Sequence, residues 1–117
     1  MNRARLGTVM WLAACTVPTH SPATIVTPTT AVTIVQSYAY SNYDNGDFVF
    51  STSIAAPGCS TGWYVKPTDG GYRAIIATVL TAQAVGLQVI VYGDNTDLWT
   101  GSPSGQYCRV QAVGLAT

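Results

Sequence analysis

The aspartates of this chain are the side chains best suited to catalysis, and four of them form two close pairs. Asp44 and Asp47 lie in the segment NYDNGD, and Asp94 and Asp97 lie in DNTD. Paired carboxylates act as general acid and base, and glycosidases place two of them across the scissile bond. Both pairs stand among Asn and Gly, where Asp is favoured because its side chain hydrogen-bonds the backbone of a turn. We therefore interpret both pairs as turn residues.

Histidine and cysteine form no catalytic or metal-binding pattern in the sequence. His20 is the only histidine, and it lies in a Thr- and Pro-rich segment that cannot hold a catalytic side chain in place. Cys59 and Cys108 have no histidine near them to complete a metal site. The segment DNTD lacks the glycine and the glutamate of an EF-hand calcium loop. We expect no enzymatic activity, no bound metal and no cofactor.

The first fifteen residues, MNRARLGTVMWLAAC, have the three parts of an export signal. Arg3 and Arg5 give a positive start, residues 6–14 form a mostly apolar run, and small residues precede Cys15. The run is too short to span a hydrocarbon layer of about 30 Å. Residues 12–15, LAAC, resemble the lipobox of bacterial lipoproteins, which implies cleavage just before Cys15 and its lipidation. Ordinary secretion, or an N-terminal helix that belongs to the fold, are the alternatives.

The cysteine count agrees with export. The chain has three cysteines, so one is left over after pairing, and lipidation would account for Cys15. In an oxidising compartment Cys59 and Cys108 would then form a disulfide. This bond would close a loop of about 50 residues and contribute roughly 4 kcal/mol through chain entropy. Two buried free thiols are the alternative.

Composition divides the chain into three parts. We predict a signal peptide at 1–14, a Thr/Pro-rich tether at 15–30, in which Pro favours extended backbone, and one folded domain at 31–117. Hydrophobic residues make up 48% of the chain, which is ample for a core. Without the signal peptide, the chain has three basic residues and five aspartates, which gives a net charge of −2. This sign disfavours nucleic acid as a partner. No other apolar stretch approaches 18 residues, so we expect membrane contact only through the lipid anchor.

Hydrophobic patterning within the domain predicts mainly strands with one helix. Alternating β-branched and aromatic residues indicate strands at 31–41, 47–55 and 62–66 before the helix, and at 87–93 and 107–115 after it. The order β-β-β-α-β-β is the layout of the OB-fold, a five-stranded barrel. A different α+β arrangement of the same elements is the alternative.

Local signals place the turns and the helix. Asn45-Gly46 predicts a hairpin turn, because both residues tolerate positive φ. The helix is expected after Pro67, with Thr68 or Asp69 as its cap and Gly86 at its end. Its apolar residues fall at helical spacing: Tyr72, Ile75, Ile76, Val79 and Leu80. Other residues are predicted to share one face of the first strand: Val32, Ile34, Tyr38 and Tyr40.

Several segments resemble small exported bacterial proteins. They are Gly58-Cys59, Gly62-Trp63, the helix end at 81–84, the strand at 89–93, and residues 107–110. The domain of these proteins is similar to the binding subunits of bacterial toxins of the subtilase cytotoxin type. The resemblance covers residues 31–117 and rests on element order and two cysteines. It implies an OB-fold, assembly into ring pentamers and binding of cell-surface sugars.

Aromatic residues near polar side chains are the best candidates for a binding surface, since Tyr and Trp combine large area with few rotatable bonds. Trp99 lies in the predicted polar loop 94–106 with Asp94, Asn95 and Asp97. Trp99 could instead fold back to cover an open end of the barrel.

A second candidate patch is formed by tyrosines. Tyr38 and Tyr40 lie close to Tyr43 in the sequence and could bind a ligand or be ordinary barrel aromatics. Trp63 and Tyr64 alternate on a strand, so we expect one of them to face the core.

Two functions from different classes fit these observations. The first is an exported, non-enzymatic binding module that recognises a glycan or glycoprotein. The second is a structural or assembly protein of the cell envelope that self-associates or contacts a secretion component.

Overall fold

The computed structural model describes residues 22–116. The predicted signal peptide, the predicted lipidation site Cys15 and His20 lie outside the described residues. The described elements are β1 (Ile25–Val26), β2 (Val32–Ala39), β3 (Phe48–Thr52), β4 (Gly62–Val65), α1 (Tyr72–Val85), β5 (Gln88–Leu98) and β6 (Tyr107–Leu115), with a 3₁₀ turn at Tyr43–Asn45.

The described residues fold into one sheet of six strands with a single helix, as the sequence predicts in outline. The strand order along the sheet is β1-β5-β2-β3-β4-β6, and β5 also pairs with β6. The pairing between β4 and β6 is parallel and all others are antiparallel. Two residue pairs, Val32 with Val89 and Thr33 with Gln88, join β2 to β5. Five strands therefore pair in a ring.

Two features of the element order differ from the prediction. The short strand β1 lies in the segment predicted as a tether, and it pairs with Asp94 and Gly93 of β5. Strand β5 continues to Leu98, through residues predicted to form a loop. The polar residues 94–97 were predicted to form a loop because of their polarity. Their side chains hydrogen-bond to neighbouring segments, so they are compatible with a strand.

A β-bulge interrupts β2 and reverses which of its alternate residues face the core. The register against β3 shifts between Ile34 and Gln36. Val32 and Ile34 are therefore buried in the core, whereas Tyr38 lies opposite Val49 on the outer face of the sheet. The predicted single face for β2 is wrong, because one extra residue reverses the alternation.

The helix begins and ends close to the predicted bounds but is capped differently. Its N-cap is Gly71, and no side chain caps it. Asp69 instead accepts a hydrogen bond from the Lys66 backbone N–H at 2.9 Å. At the other end, Gly86 has φ 72° and its N–H donates to the carbonyl of Ala82, as the sequence predicts.

The apolar residues of the domain form two clusters. The larger one lies between the sheet and α1, and Trp63 is at its centre. The smaller one contains Val49, Tyr64 and Trp99, with Tyr40 and Tyr107 packed against it. Trp63 and Tyr64 are both buried, one in each cluster, so both sides of β4 are covered.

The predicted pairing of Cys59 with Cys108 is confirmed. Their Cα atoms lie 5.3 Å apart and the bond spans 49 residues. It joins the turn before β4 to β6, and both cysteines are buried. A disulfide is compatible with an exported protein. Among residues 22–116, no helix is both long and apolar enough to cross a membrane.

Candidate functional site

The outer face of the sheet carries a cluster of aromatic side chains, which we call the aromatic face: Tyr38, Tyr40, Tyr43, Trp99 and Tyr107. Tyr40 is its centre, with ring centroids 6.2 Å from Tyr38, 5.4 Å from Tyr43 and 5.7 Å from Trp99. Trp99 contacts Tyr107 edge to face at 5.2 Å. These separations are those of favourable aromatic pairs.

Strand alternation after the β2 bulge places Tyr38 on this face. Tyr38 and Tyr43 are about half exposed, at 48% and 55%. Beside Tyr38 is a shallow cleft, whose lining includes the polar side chains of Gln36 and Ser51 as well as Tyr107. The accessible part of the aromatic face is therefore made of tyrosines with polar neighbours.

Trp99 is buried, in agreement with the alternative that it folds back, and is not an exposed ligand-binding ring. Its side chain is only 5% exposed, and its Nε1 donates a hydrogen bond to Asp47 Oδ2 at 3.0 Å. The indole folds back onto the sheet between Tyr40 and Tyr107. It is a support for the tyrosines in this structure, and its own ring faces are covered.

The polar residues predicted to accompany Trp99 contact other parts of the chain. Asp94 Oδ1 accepts hydrogen bonds from the backbone and hydroxyl of Thr96, at 2.9 and 2.6 Å, and from the Thr24 backbone at 3.3 Å. Hydrogen bonds from Thr96 hold the pKa of the Asp94 carboxyl below its ordinary value. Asn95 Nδ2 donates to the carbonyl of Pro57 at 3.1 Å. Asp94 and Asn95 therefore fix the backbone of neighbouring segments.

Asp97 belongs to a charge network that the sequence analysis missed. Tyr64 donates its hydroxyl to Asp97 Oδ1 at 2.7 Å, and Arg109 Nη1 donates to Asp97 Oδ2 at 3.0 Å. The same guanidinium also pairs with Asp69. Burial alone would raise the pKa of Asp69, but the hydrogen bonds from Arg109 and the Lys66 backbone outweigh it and lower that pKa.

This network has its charges paired internally. Arg109 lies opposite Tyr64 in the parallel pairing of β4 with β6. An open cleft of about 310 Å³ adjoins it, lined on the other side by Gly70 and Gly71. Arg109 lies 40 residues from Asp69 and 12 from Asp97 in the sequence, so no local spacing could reveal the network.

Two loops that border the aromatic face are joined by side chains. Tyr43 donates its hydroxyl to the carbonyl of Gly101 at 2.6 Å, and Thr100 donates to Asp44 Oδ2 at 3.0 Å. Together with the bond from Trp99 to Asp47, they connect residues 40–47 to residues 99–106. We call these three cross-loop hydrogen bonds the clasp.

Asp47 is the buried member of the clasp. It is 1% exposed, and its Oδ1 has no hydrogen-bond partner among the described residues. Burial raises the pKa of the Asp47 carboxyl, although the hydrogen bond from Trp99 lowers it in part. The two aspartates of this turn therefore both act in joining loops, Asp44 at the surface and Asp47 inside.

The interpretation of this site rests on its geometry. Comparison with family models, with curated proteins and with solved structures finds no match for this chain.

Proposed function

We propose that this chain is an exported, lipid-anchored, non-enzymatic module that binds a glycan or glycoprotein on its aromatic face. The observation that carries the proposal is the pair of half-exposed tyrosines, Tyr38 and Tyr43, on a supported aromatic cluster. Tyrosine rings stack on the apolar faces of sugars, and amide and hydroxyl groups bond their hydroxyls. Gln36 and Ser51 supply such groups beside Tyr38.

The pairing of the strands supports an OB-like, five-stranded barrel as the framework of this module. Strands β2, β3, β4, β6 and β5 pair in that cyclic order. OB-folds bind oligosaccharides and oligonucleotides on one outer face and its bordering loops, and the aromatic face has the same relation to the loops at 40–47 and 99–106. The proposed relation to toxin binding subunits rests on this analogy of fold.

Charge favours a neutral ligand over an anionic one. The guanidinium of Arg109 already bonds two carboxylates, Asp69 and Asp97. The described residues carry three basic side chains against five aspartates, so their net charge is −2. The cleft beside Tyr38 is lined by no Lys or Arg, so sulfated sugars and nucleic acids would meet no cationic side chain there.

A glycan array probed with the full chain tests the proposal, with Tyr38→Ala as the site variant. We expect binding to weaken about tenfold or more, since about 1.4 kcal/mol corresponds to a factor of ten. Tyr92→Ala is the matched control, because Tyr92 is 43% exposed but lies on β5, outside the aromatic face. Equal loss in both variants, or a silent array, would contradict the proposal.

One observation favours the second candidate, an envelope assembly protein. Ile90 and Tyr92 are 40% and 43% exposed, and their partners on β6 are Gly114 and Ala112. Exposed apolar side chains beside small residues are suited to contact with another protein surface. If this surface assembles the protein, light scattering of the full chain gives a defined oligomer that Ile90→Ser and Tyr92→Ser together dissociate. A monomer for the unmodified chain would contradict self-association.

A further inference from the structure

Asp47 links two loops from a position that excludes water. It is 1% exposed, and one of its oxygens accepts the Trp99 indole N–H at 3.0 Å. The other oxygen, Oδ1, is buried without a partner among the described residues. An ionised carboxylate is costly in such a place, because half of its acceptor capacity has lost water and gained no donor.

The charged groups around Asp47 do not remove this cost. Asp44 on the same turn and Asp69 before α1 both disfavour the ionised form, while Lys66 at the end of β4 favours it. From α1, the hydroxyl of Tyr72 donates to the carbonyl of Gly46 rather than to the carboxylate. Burial is the largest effect, and it raises the pKa of Asp47.

From this geometry we infer that Asp47 makes the clasp sensitive to pH. The clasp is closed when the carboxyl holds a proton, and it loosens when the carboxyl ionises and draws in water. Opening exposes Asp47, whose pKa then returns toward about 4, the ordinary aspartate value. The closed form binds more protons than the open form, so closing becomes less favourable as pH rises through this window.

The aromatic face would respond to the clasp. Tyr43 is a member of both, and Tyr40 packs between Trp99 and Tyr38. Loosening the loops therefore moves the rings of Tyr43 and Trp99 away from Tyr40, the ring that stacks on Tyr38. This consequence, but not the clasp itself, rests on the proposed glycan function. It implies that sugar binding weakens as pH rises from about 4, the ordinary aspartate pKa, through the raised pKa of Asp47.

Nuclear magnetic resonance of the full, ¹⁵N-labelled chain tests the clasp without any ligand. The indole N–H of Trp99 is expected to shift in one titration step above the ordinary aspartate range. Its protection from exchange, corrected for the intrinsic rate, should fall by up to about tenfold per pH unit across that step. In Asp47→Asn, which keeps an acceptor for the indole, both signals should become independent of pH.

Asp44→Asn is the matched control on the same turn. It keeps an acceptor for the Thr100 hydroxyl but removes the repulsion between Asp44 and Asp47, so the titration should persist at lower pH. A flat Trp99 signal in the unmodified chain, or the same titration in Asp47→Asn, would overturn the inference. The unmodified chain alone decides the matter if Asp47→Asn does not fold.

The glycan array, repeated at one pH below and one pH above the Trp99 titration step, separates the two proposals. If the indole titrates and the array is silent at both pH values, the pH-sensitive clasp is supported and the glycan function is contradicted. If the array gives a signal but the Trp99 indole does not titrate, the pH sensitivity of the clasp is contradicted and the glycan function is supported.

Discussion

At the scale of single residues, exposure separates two aromatic side chains of one cluster. Tyr38 is 48% exposed and Trp99 only 5%. A buried ring that also donates a hydrogen bond contributes to folding, whereas a half-exposed ring on the same cluster is accessible to a ligand. The largest aromatic side chain of the loop is therefore a support, and we propose the tyrosines as the residues that contact a ligand.

Trp99→Ala is consequently expected to destabilise the fold. Loss of a buried Trp costs about 3 to 5 kcal/mol, and here it also leaves the Asp47 carboxyl without the one donor that the described residues provide. Chemical denaturation should show a lower midpoint, and Trp99→Phe should recover part of the loss. A midpoint equal to that of the unmodified chain would show that the indole is not part of the core.

At the scale of elements, the alternation of strands predicts where each strand lies but not which way each residue faces. The bulge in β2 turns Tyr38 outward, although Val32 and Ile34 lie inward in the same strand. The extension of β5 to Leu98 was also missed. Both errors arise because bulges and polar strand ends are fixed by partners on other strands, which local pattern does not contain.

Close approach between β5 and β4 gives a prediction at this scale. A Cβ atom added at Gly93 would lie 2.5 Å from the ring of Trp63, so Gly93→Ala should cost about 1 to 3 kcal/mol through overpacking. Gly114→Ala is the matched control in the neighbouring strand, because nothing lies within 4 Å of its added Cβ. Thermal unfolding of the two variants compares them directly. Equal melting temperatures would be inconsistent with the contact.

At the scale of the whole molecule, the disulfide joins parts of the chain that are neighbours in the ring of strands but distant in the sequence. It links the turn before β4 to β6, which pair in parallel and are separated by α1 and β5 in the sequence. Replacing both Cys59 and Cys108 by Ser should lower the free energy of unfolding by about 4 kcal/mol. Mass spectrometry of the unmodified chain should show a gain of two hydrogens on reduction, and two freely alkylated thiols before reduction would contradict the bond.

The sequence by itself determined the strand-rich class, the helix with its Gly86 end and the cysteine pair. These follow from hydrophobic period, turn chemistry and residue count, which are local or compositional properties. Only the tertiary structure decided that Trp99 is buried, that Asp97 pairs with Arg109, and that Asp47 lies inside the clasp. Each of these depends on contacts between residues far apart in the chain, and the burial of a side chain is a property of its neighbours in space.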